Sequence, residues 1–245
     1  STSVDDGGAA GTFKRRQRNS INYDSPMFGG FQFLASTTST NASSSITTSD
    51  AAAKARVWSL AGAYKAGPLE LSIGYEMHQD FYNNRTTALP TATFSGDETG
   101  WHISGAYTLG NGLKLGATYT QQEGDTGVGQ DSEVKAYQLG AEWKISGPHS
   151  VHFGYTVADD TKTTAGGASL GGRPGVPGVG TAAGSNGAKL WQIRYLHDFS
   201  KRTVGSIGYV SLDNDVSGNY DLMGVSGTGT GAKSSAIAMR ISHRF

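Results

Sequence analysis

The chain has 245 residues, no cysteine, and twenty acidic residues against twenty basic ones. This balance gives no reason to expect a nucleic-acid partner, and the lack of cysteine excludes disulfides, thiolate metal sites and thiol nucleophiles. The longest apolar run, Val57 to Tyr64, falls far short of the roughly 18 residues of a transmembrane helix, which excludes a helical membrane protein. Thirty-six glycines and 16% charged residues favour a single all-β domain of many short strands and polar loops.

The N-terminal part of the chain predicts a loop followed by a hairpin. Residues 1–13 are small, polar and glycine-rich, and the basic run 14–18 follows them. A first strand begins near Asn19, because apolar and polar residues alternate from there. Gly29-Gly30 then predicts a turn into a second strand near residues 31–36.

From residue 37 onward the sequence repeats one unit, which consists of a long polar loop, a strand, a short turn and another strand. The expected long loops are residues 37–53, 80–97, 123–131, 159–187 and 213–232. The expected strands lie near residues 56–64, 69–79, 99–109, 113–122, 133–144, 150–158, 188–199, 203–212 and 233–245. Long and short connections alternate without exception, which is typical of a transmembrane antiparallel β-barrel, here with about eleven strands.

A two-residue period divides the side chains of these strands into an apolar and a polar set. The terminal strand shows it well, because Ile237, Met239 and Ile241 lie opposite Ala238 and Arg240. We expect lipid-facing positions at Trp58, Leu60, Trp101, Ile103, Tyr137, Leu139, Trp191, Ile193 and Tyr195, and lumen-facing positions at Ser59, Glu76, Lys114, Gln138, His152 and Arg194. Aromatic residues recur near strand ends, as expected for interfacial girdles.

The strand that begins at Thr203 leaves its facing open. Ile207 with Tyr209 and Val204 with Val210 compete for the outer face.

Three runs of sequence resemble one protein family. The run Arg18-Asn-Ser-Ile-Asn-Tyr-Asp-Ser-Pro-Met-Phe-Gly-Gly-Phe31 resembles the stretch after the constriction loop of general diffusion porins of the betaproteobacterial and neisserial type. Residues 195–203 and 241–245 resemble the last periplasmic turn and the C-terminus of those porins. The resemblance implies the C-terminal part of a sixteen-stranded barrel, with residues 1–17 as the tail of the constriction loop and residues 18–245 as barrel strands.

The same resemblance implies a homotrimer in the Gram-negative outer membrane, in contact with lipid, that lets ions and small hydrophilic solutes diffuse passively. It also implies a charged pore waist, with acidic residues on the loop tail and basic residues where the loop returns to the wall. The candidate residues for this waist are Asp5, Asp6, Lys14, Arg15, Arg16 and Arg18. Arg194 and Arg240 join them as pore-lining candidates, because their parity on the barrel wall points inward. Arg18 is the strongest candidate because its parity points inward, and the alternative for residues 14–18 is a solvated turn.

Other functions must be weighed against a channel. One is a non-conducting structural or adhesive barrel. Another is a barrel phospholipase, because His102 and Ser104 have the His-x-Ser spacing, but their parity turns both away from a membrane-embedded ester. We expect no enzyme, no cofactor and no metal site, because the histidines show no metal-ligand spacing and the glycine-rich segment lacks a dinucleotide fingerprint.

Overall fold

A computed structural model describes residues 20–38, 56–83, 95–127, 130–163, 185–222 and 229–245. Six of the predicted pore residues lie outside these ranges: Asp5, Asp6, Lys14, Arg15, Arg16 and Arg18. Within the described part of the chain, no helix has the length and apolar character needed to cross a membrane.

The described residues form one antiparallel β-sheet. Its strands are β1 (Ser20–Asp24), β2 (Phe31–Thr38), β3 (Arg56–Ala66), β4 (Leu69–Asn83), β5 (Ser95–Thr108), β6 (Leu113–Gly127), β7 (Gln130–Ser146), β8 (His149–Ala158), β9 (Lys162–Thr163), β10 (Ala188–Ser200), β11 (Thr203–Asn214) and β12 (Lys233–His243). Eleven of them follow one another across the sheet in chain order, and the two-residue β9 pairs with β7 beside that path. The predicted all-β fold of about eleven antiparallel strands is confirmed.

Tight turns close four of the hairpins at one end of the sheet, which we call the short-turn end. Gly67, Gly112 and Gly147 have positive φ angles of 53°, 79° and 52° in three of these turns, a conformation that favours glycine. The N-terminal hairpin turns at Gly30, where a Cβ atom would lie 2.5 Å from the carbonyl oxygen of Lys65. The backbone therefore passes so close to β3 that only glycine fits there without a shift.

The connections at the opposite end, which we call the far end, differ from the prediction. The strands β4 and β5 extend into the predicted loop 80–97. The strands β6 and β7 leave only residues 128–129 between them, so the predicted long loop 123–131 is wrong, and the alternation of long and short connections fails there. The reason is that Glu123 pairs with Glu133 and Asp125 pairs with Asp131 in the ladder. Ladder pairing satisfies the backbone of polar residues as well as that of apolar ones.

The apolar side chains lie on the exposed outer face of the sheet, as predicted. Trp58, Ile103, Leu139 and Ile193 are 45–57% exposed, whereas polar residues of the other parity are mostly less exposed. The structure also settles which residues of β11 face outward, a choice that the sequence left open. Ile207 pairs with Tyr195 and Tyr209 pairs with Ile193, so they share the outer face, and Val204 and Val210 face inward.

Two aromatic bands flank the outer apolar residues. Toward the far end, the ring centroids of Tyr75 and Trp101 lie 4.5 Å apart, and those of Trp191 and Tyr209 lie 5.2 Å apart. Toward the short-turn end lie Tyr64, Tyr107, Trp143, Tyr195 and Phe199. This arrangement matches the aromatic girdles that mark the two membrane–water interfaces.

The sheet is open among the described residues. The strands β1 and β12 each have one neighbour and do not pair with each other. Each therefore carries one row of backbone N–H and C=O groups that the described strands leave without a ladder partner.

Candidate pore wall

The polar parity of the strands forms one continuous concave surface. A cavity of about 490 Å³ lies along β3 to β7 and is lined largely by small or polar inward residues, among them Ser72, Ser104, Thr118 and Gln138. The hydroxyl oxygens of Ser72 and Ser104 lie 2.6 Å apart across β4 and β5. Because neighbouring strands contribute to one cavity, this face curves inward.

Charged side chains of alternating sign cross this face near the short-turn end, and we call them the charged ladder. It consists of Lys65, Glu70, Lys114, Glu142, His152 and Arg194. Glu70 accepts hydrogen bonds from two sides: its Oε1 lies 3.0 Å from the Nζ atom of Lys65, and its Oε2 lies 2.5 Å from that of Lys114. The ladder thus contains three lysine or arginine cations, two carboxylates and one imidazole.

Arg194 has a different environment from the two lysines. It pairs in register with His152 of β8, and its Nη2 atom lies 3.3 Å from Nδ1 of that histidine. Nδ1 of His152 lies 4.0 Å from Oε1 of Glu142. The guanidinium of Arg194 therefore contacts an imidazole where each lysine contacts a carboxylate, so less of its charge is balanced locally.

Arg240 lies on the inward parity of β12, opposite Ser206 of β11. Arg194 pairs with Gly208, one inward position along from Ser206. The structure thus brings the two predicted wall arginines to the same face, separated by the strand β11. Small residues stand between them, so no bulky side chain shields one arginine from the other.

A buried ionisable cluster on the same face was not predicted. The imidazole of His78 is fully buried, with Nε2 2.7 Å from Oε1 of Glu76 and Nδ1 3.5 Å from Oε2 of Glu98. Glu98 is itself only 2% exposed. Glu76 was predicted to face the lumen, but Glu98 lay between the predicted loop 80–97 and the predicted strand 99–109, so its pairing with His78 in the ladder was not expected.

Loop segments pack together at the far end of β10 and β11. Gly187 N–H donates to Asp160 at 2.8 Å, and Asn214 both donates to the carbonyl of Tyr220 at 2.9 Å and accepts from its N–H at 2.8 Å. Burial alone would raise the pKa of Asp160, but backbone N–H donors from residues 185–187 hold it below the usual value. Burial, with a smaller contribution from Asp160, raises the pKa of Tyr220 to about 12.

These loops cover a small apolar cluster on the inward face. Leu212, Ala188 and Leu222 are buried there, with Leu190, Val210, Tyr220 and Ala236 packed around them. The segment 215–222 therefore folds over the inward face of β10 and β11 at the far end. None of the described residues form a group of three or more His, Cys, Asp or Glu side chains arranged to hold a metal ion.

A family model of Gram-negative porins matches residues 1–235. The chain belongs to the Gram-negative porin family. This membership confirms the predicted family resemblance, and together with the antiparallel sheet described above it indicates a protein of the outer membrane. None of the curated proteins searched matches the sequence.

Solved structures share the fold of this porin. The anion-selective porin from Comamonas acidovorans has a TM-score of 0.70 and 22% identity, and the alignment covers 99% of this chain and 64% of that one. OmpT, an outer membrane protein of Vibrio cholerae, has a TM-score of 0.60 and 14% identity, with 92% and 64% covered. The outer membrane channel DcaP of Acinetobacter baumannii has a TM-score of 0.58 and 12% identity, with 98% and 69% covered.

The chain thus spans about two thirds of the length of each of these three proteins. Of the predicted pore residues, the structure describes Arg194 and Arg240, both on the inward parity. The roles predicted for the basic run 14–18 and for Asp5 and Asp6 stay predictions.

Proposed function

We propose that this porin forms a water-filled channel through which ions and small hydrophilic solutes diffuse passively. The observation that carries the proposal is the separation of the two faces. The outer face presents bulky apolar side chains between two aromatic bands, and the inner face is concave, polar and charged. A sheet with this distribution is stable only with lipid outside and water inside.

Closure of the barrel requires more strands than the structure describes. The outer edges of β1 and β12 would each cost several kcal/mol per unpaired backbone group in hydrocarbon. We propose that further strands join these edges and complete a sixteen-stranded barrel. In support, eleven of sixteen strands is about the share of the Comamonas porin that the chain covers, 64%. A trimer is proposed on the same family grounds.

The proposed waist combines the charged ladder with the candidates Asp5, Asp6, Lys14, Arg15, Arg16 and Arg18. On the described wall, Arg194 of β10 contacts an imidazole and not a carboxylate, and Arg240 of β12 pairs with Ser206. Charges in water act over about 8–10 Å, so we expect Arg194 to influence ions that pass within that distance. One structural relative is described as anion-selective, and a local excess of arginine supports the same preference here.

The alternative functions receive less support. A phospholipase would need His102 to activate Ser104, but both residues lie on the inward parity of β5, which turns them away from a membrane-embedded ester. The Ser104 hydroxyl hydrogen-bonds instead to Ser72. A non-conducting barrel remains the main alternative, because the loops at the far end cover part of the wall.

Arg194→Glu tests the proposed lumen position of this charge. With a salt gradient across a planar bilayer, the substitution should shift the reversal potential of the full-length porin toward cation preference. Lys189→Glu is a matched control, because it makes the same charge change on the same strand but on the outer parity. If both variants shift the potential equally, Arg194 does not act on the permeating ions.

Permeation itself is tested by the swelling of vesicles that contain the full-length porin. Small neutral sugars should enter, at rates that fall with solute size. Vesicles that do not swell with any sugar would favour the non-conducting barrel.

A further inference from the structure

Two histidines that are 48 residues apart in the sequence meet on the outer face of the sheet. His149 opens β8, His197 lies near the end of β10, and the two are direct partners in the ladder. They share the outer parity with Tyr195, and the short-turn end of the sheet places them near the membrane surface. Neither the proposed pore nor the lipid-facing band requires imidazoles at this position.

Three heteroatoms converge there. The two Nδ1 atoms of His149 and His197 lie 3.4 Å apart. The phenol oxygen of Tyr195 lies 2.5 Å from Nδ1 of His149 and 3.4 Å from Nδ1 of His197. In the tautomers that carry the proton on Nε2, both Nδ1 atoms present a lone pair to the same point, and the single phenol proton can satisfy only one of them.

The distance between the two nitrogens matches that between two ligands of one zinc ion. Tetrahedral zinc binds histidine nitrogen at about 2.0–2.1 Å, which places two ligands about 3.4 Å apart. The separation of the two Nδ1 atoms is the same. The phenol oxygen of Tyr195 lies too close to Nδ1 of His149 for both atoms to be ligands of one tetrahedral zinc ion. Without metal, this oxygen is a hydrogen-bond partner of His149; with metal bound, it can become a third ligand only after it moves outward.

Neighbouring rings restrain the orientation of both imidazoles. The rings of His149 and Tyr195 are stacked, with centroids 5.9 Å apart. The ring of Phe199 packs edge-on against His197 at 4.7 Å. The adjacent backbone is also fixed, because the N–H of Asp198 donates to the carbonyl of Pro148 at 2.9 Å. The nitrogens therefore need little rearrangement to bind an ion, which favours binding.

We propose that His149 and His197, with Tyr195 beside them, form a binding site for a divalent first-row transition metal such as Zn²⁺ or Cu²⁺ at the short-turn rim of this porin. Imidazole nitrogen suits these ions, whereas Mg²⁺ and Ca²⁺ prefer oxygen ligands. The remaining coordination positions take water. A bound ion links β8 to β10 across the outer face and stabilises the folded sheet.

The site escaped sequence analysis for a simple reason. The two histidines lie on different strands, so their proximity depends on the register of β8 against β10. With two histidines and one tyrosine, the site also has fewer ligands than a typical structural zinc site, so we expect exchangeable rather than permanent metal.

The first test is zinc binding by calorimetry with the full-length, untagged porin in detergent, after removal of metal with a chelator. We expect one zinc ion per chain, bound exchangeably. His149→Ala and His197→Ala should each lower the affinity by at least about tenfold, since even outer-shell partners are worth that much. His243→Ala is the control: this histidine also lies on the outer parity near the short-turn end, but its Nδ1 contacts the hydroxyl of Thr203.

A spectroscopic test needs no variant and so does not depend on the folding of a mutant. Electron paramagnetic resonance of the wild-type porin with one equivalent of Cu²⁺ should show two equatorial imidazole nitrogens. A spectrum with oxygen ligands alone, or equal zinc affinity in the wild type and both histidine variants, would overturn the proposal.

Discussion

Ile103→Arg is the substitution that most directly probes the orientation of the sheet. Ile103 lies on the outer face of β5, 47% exposed, and pairs with Ile73 of β4 and Tyr119 of β6. The aromatic residues Trp101 and Tyr107 flank it on the same face. An arginine at this position would place a guanidinium among apolar side chains that we assign to lipid.

The depth of Ile103 sets the size of the effect. At about 3.3 Å per residue and a strand tilt of about 40°, Trp101 and Tyr107 are roughly 15 Å apart along the membrane normal. Ile103 then lies roughly 5 Å from Trp101 and within about 3 Å of the point midway between the two aromatics. Arginine near the midplane of a barrel costs about 2–4 kcal/mol, so we expect a loss in that range.

The assay is equilibrium unfolding of the full-length porin from lipid vesicles in denaturant, followed by tryptophan fluorescence. His102→Arg is the matched control, because it introduces the same side chain one residue away on the opposite face. We expect it to change the free energy of unfolding by less than about 0.5 kcal/mol, as for an exposed surface position. If the two variants are equally destabilised, the assignment of lipid and lumen faces is wrong.

Two further predictions concern the turns and the far end. Gly30→Ala should destabilise the porin by about 1–3 kcal/mol in the same assay, because the new Cβ would meet the carbonyl of Lys65. Gly29→Ala is the control and should cost less, because Gly29 also has a positive φ but a Cβ atom there would meet open space. The free energy of unfolding should fall as the pH rises from about 10 to about 12. In this range Tyr220 ionises in the unfolded state but stays protonated in the folded state, where its pKa is about 12. The loss should be at most about 2–3 kcal/mol, and it should be missing in Tyr220→Phe.

The barrel strands were predictable because lipid imposes a simple rule on sequence. An outward residue must be apolar, so Ile237, Met239 and Ile241 alternate with small or charged residues, and the same period recurs in strand after strand. The rule weakens where a strand leaves the membrane. Beyond Gln122 both faces meet water, and the sequence no longer distinguishes a paired strand from a loop. The predicted strands therefore stopped at residues 122 and 133, whereas β6 and β7 continue to Gly127 and Gln130.

Sites that depend on register were not predictable for a different reason. The contacts of His78 with Glu98 and of His149 with His197 join residues on separate strands. A shift of one residue in either pair of strands would turn one partner to the other face. The facing of β11 was decided in the same way, because Ile207 and Tyr209 pair with outward residues of β10.

The most direct test of the proposed function is the current through single molecules of natively extracted, full-length porin in a planar bilayer. A water-filled trimeric channel predicts stable open steps of nanosiemens order that close in threes. Correctly folded protein that inserts but gives no current would contradict the channel and favour a closed structural barrel.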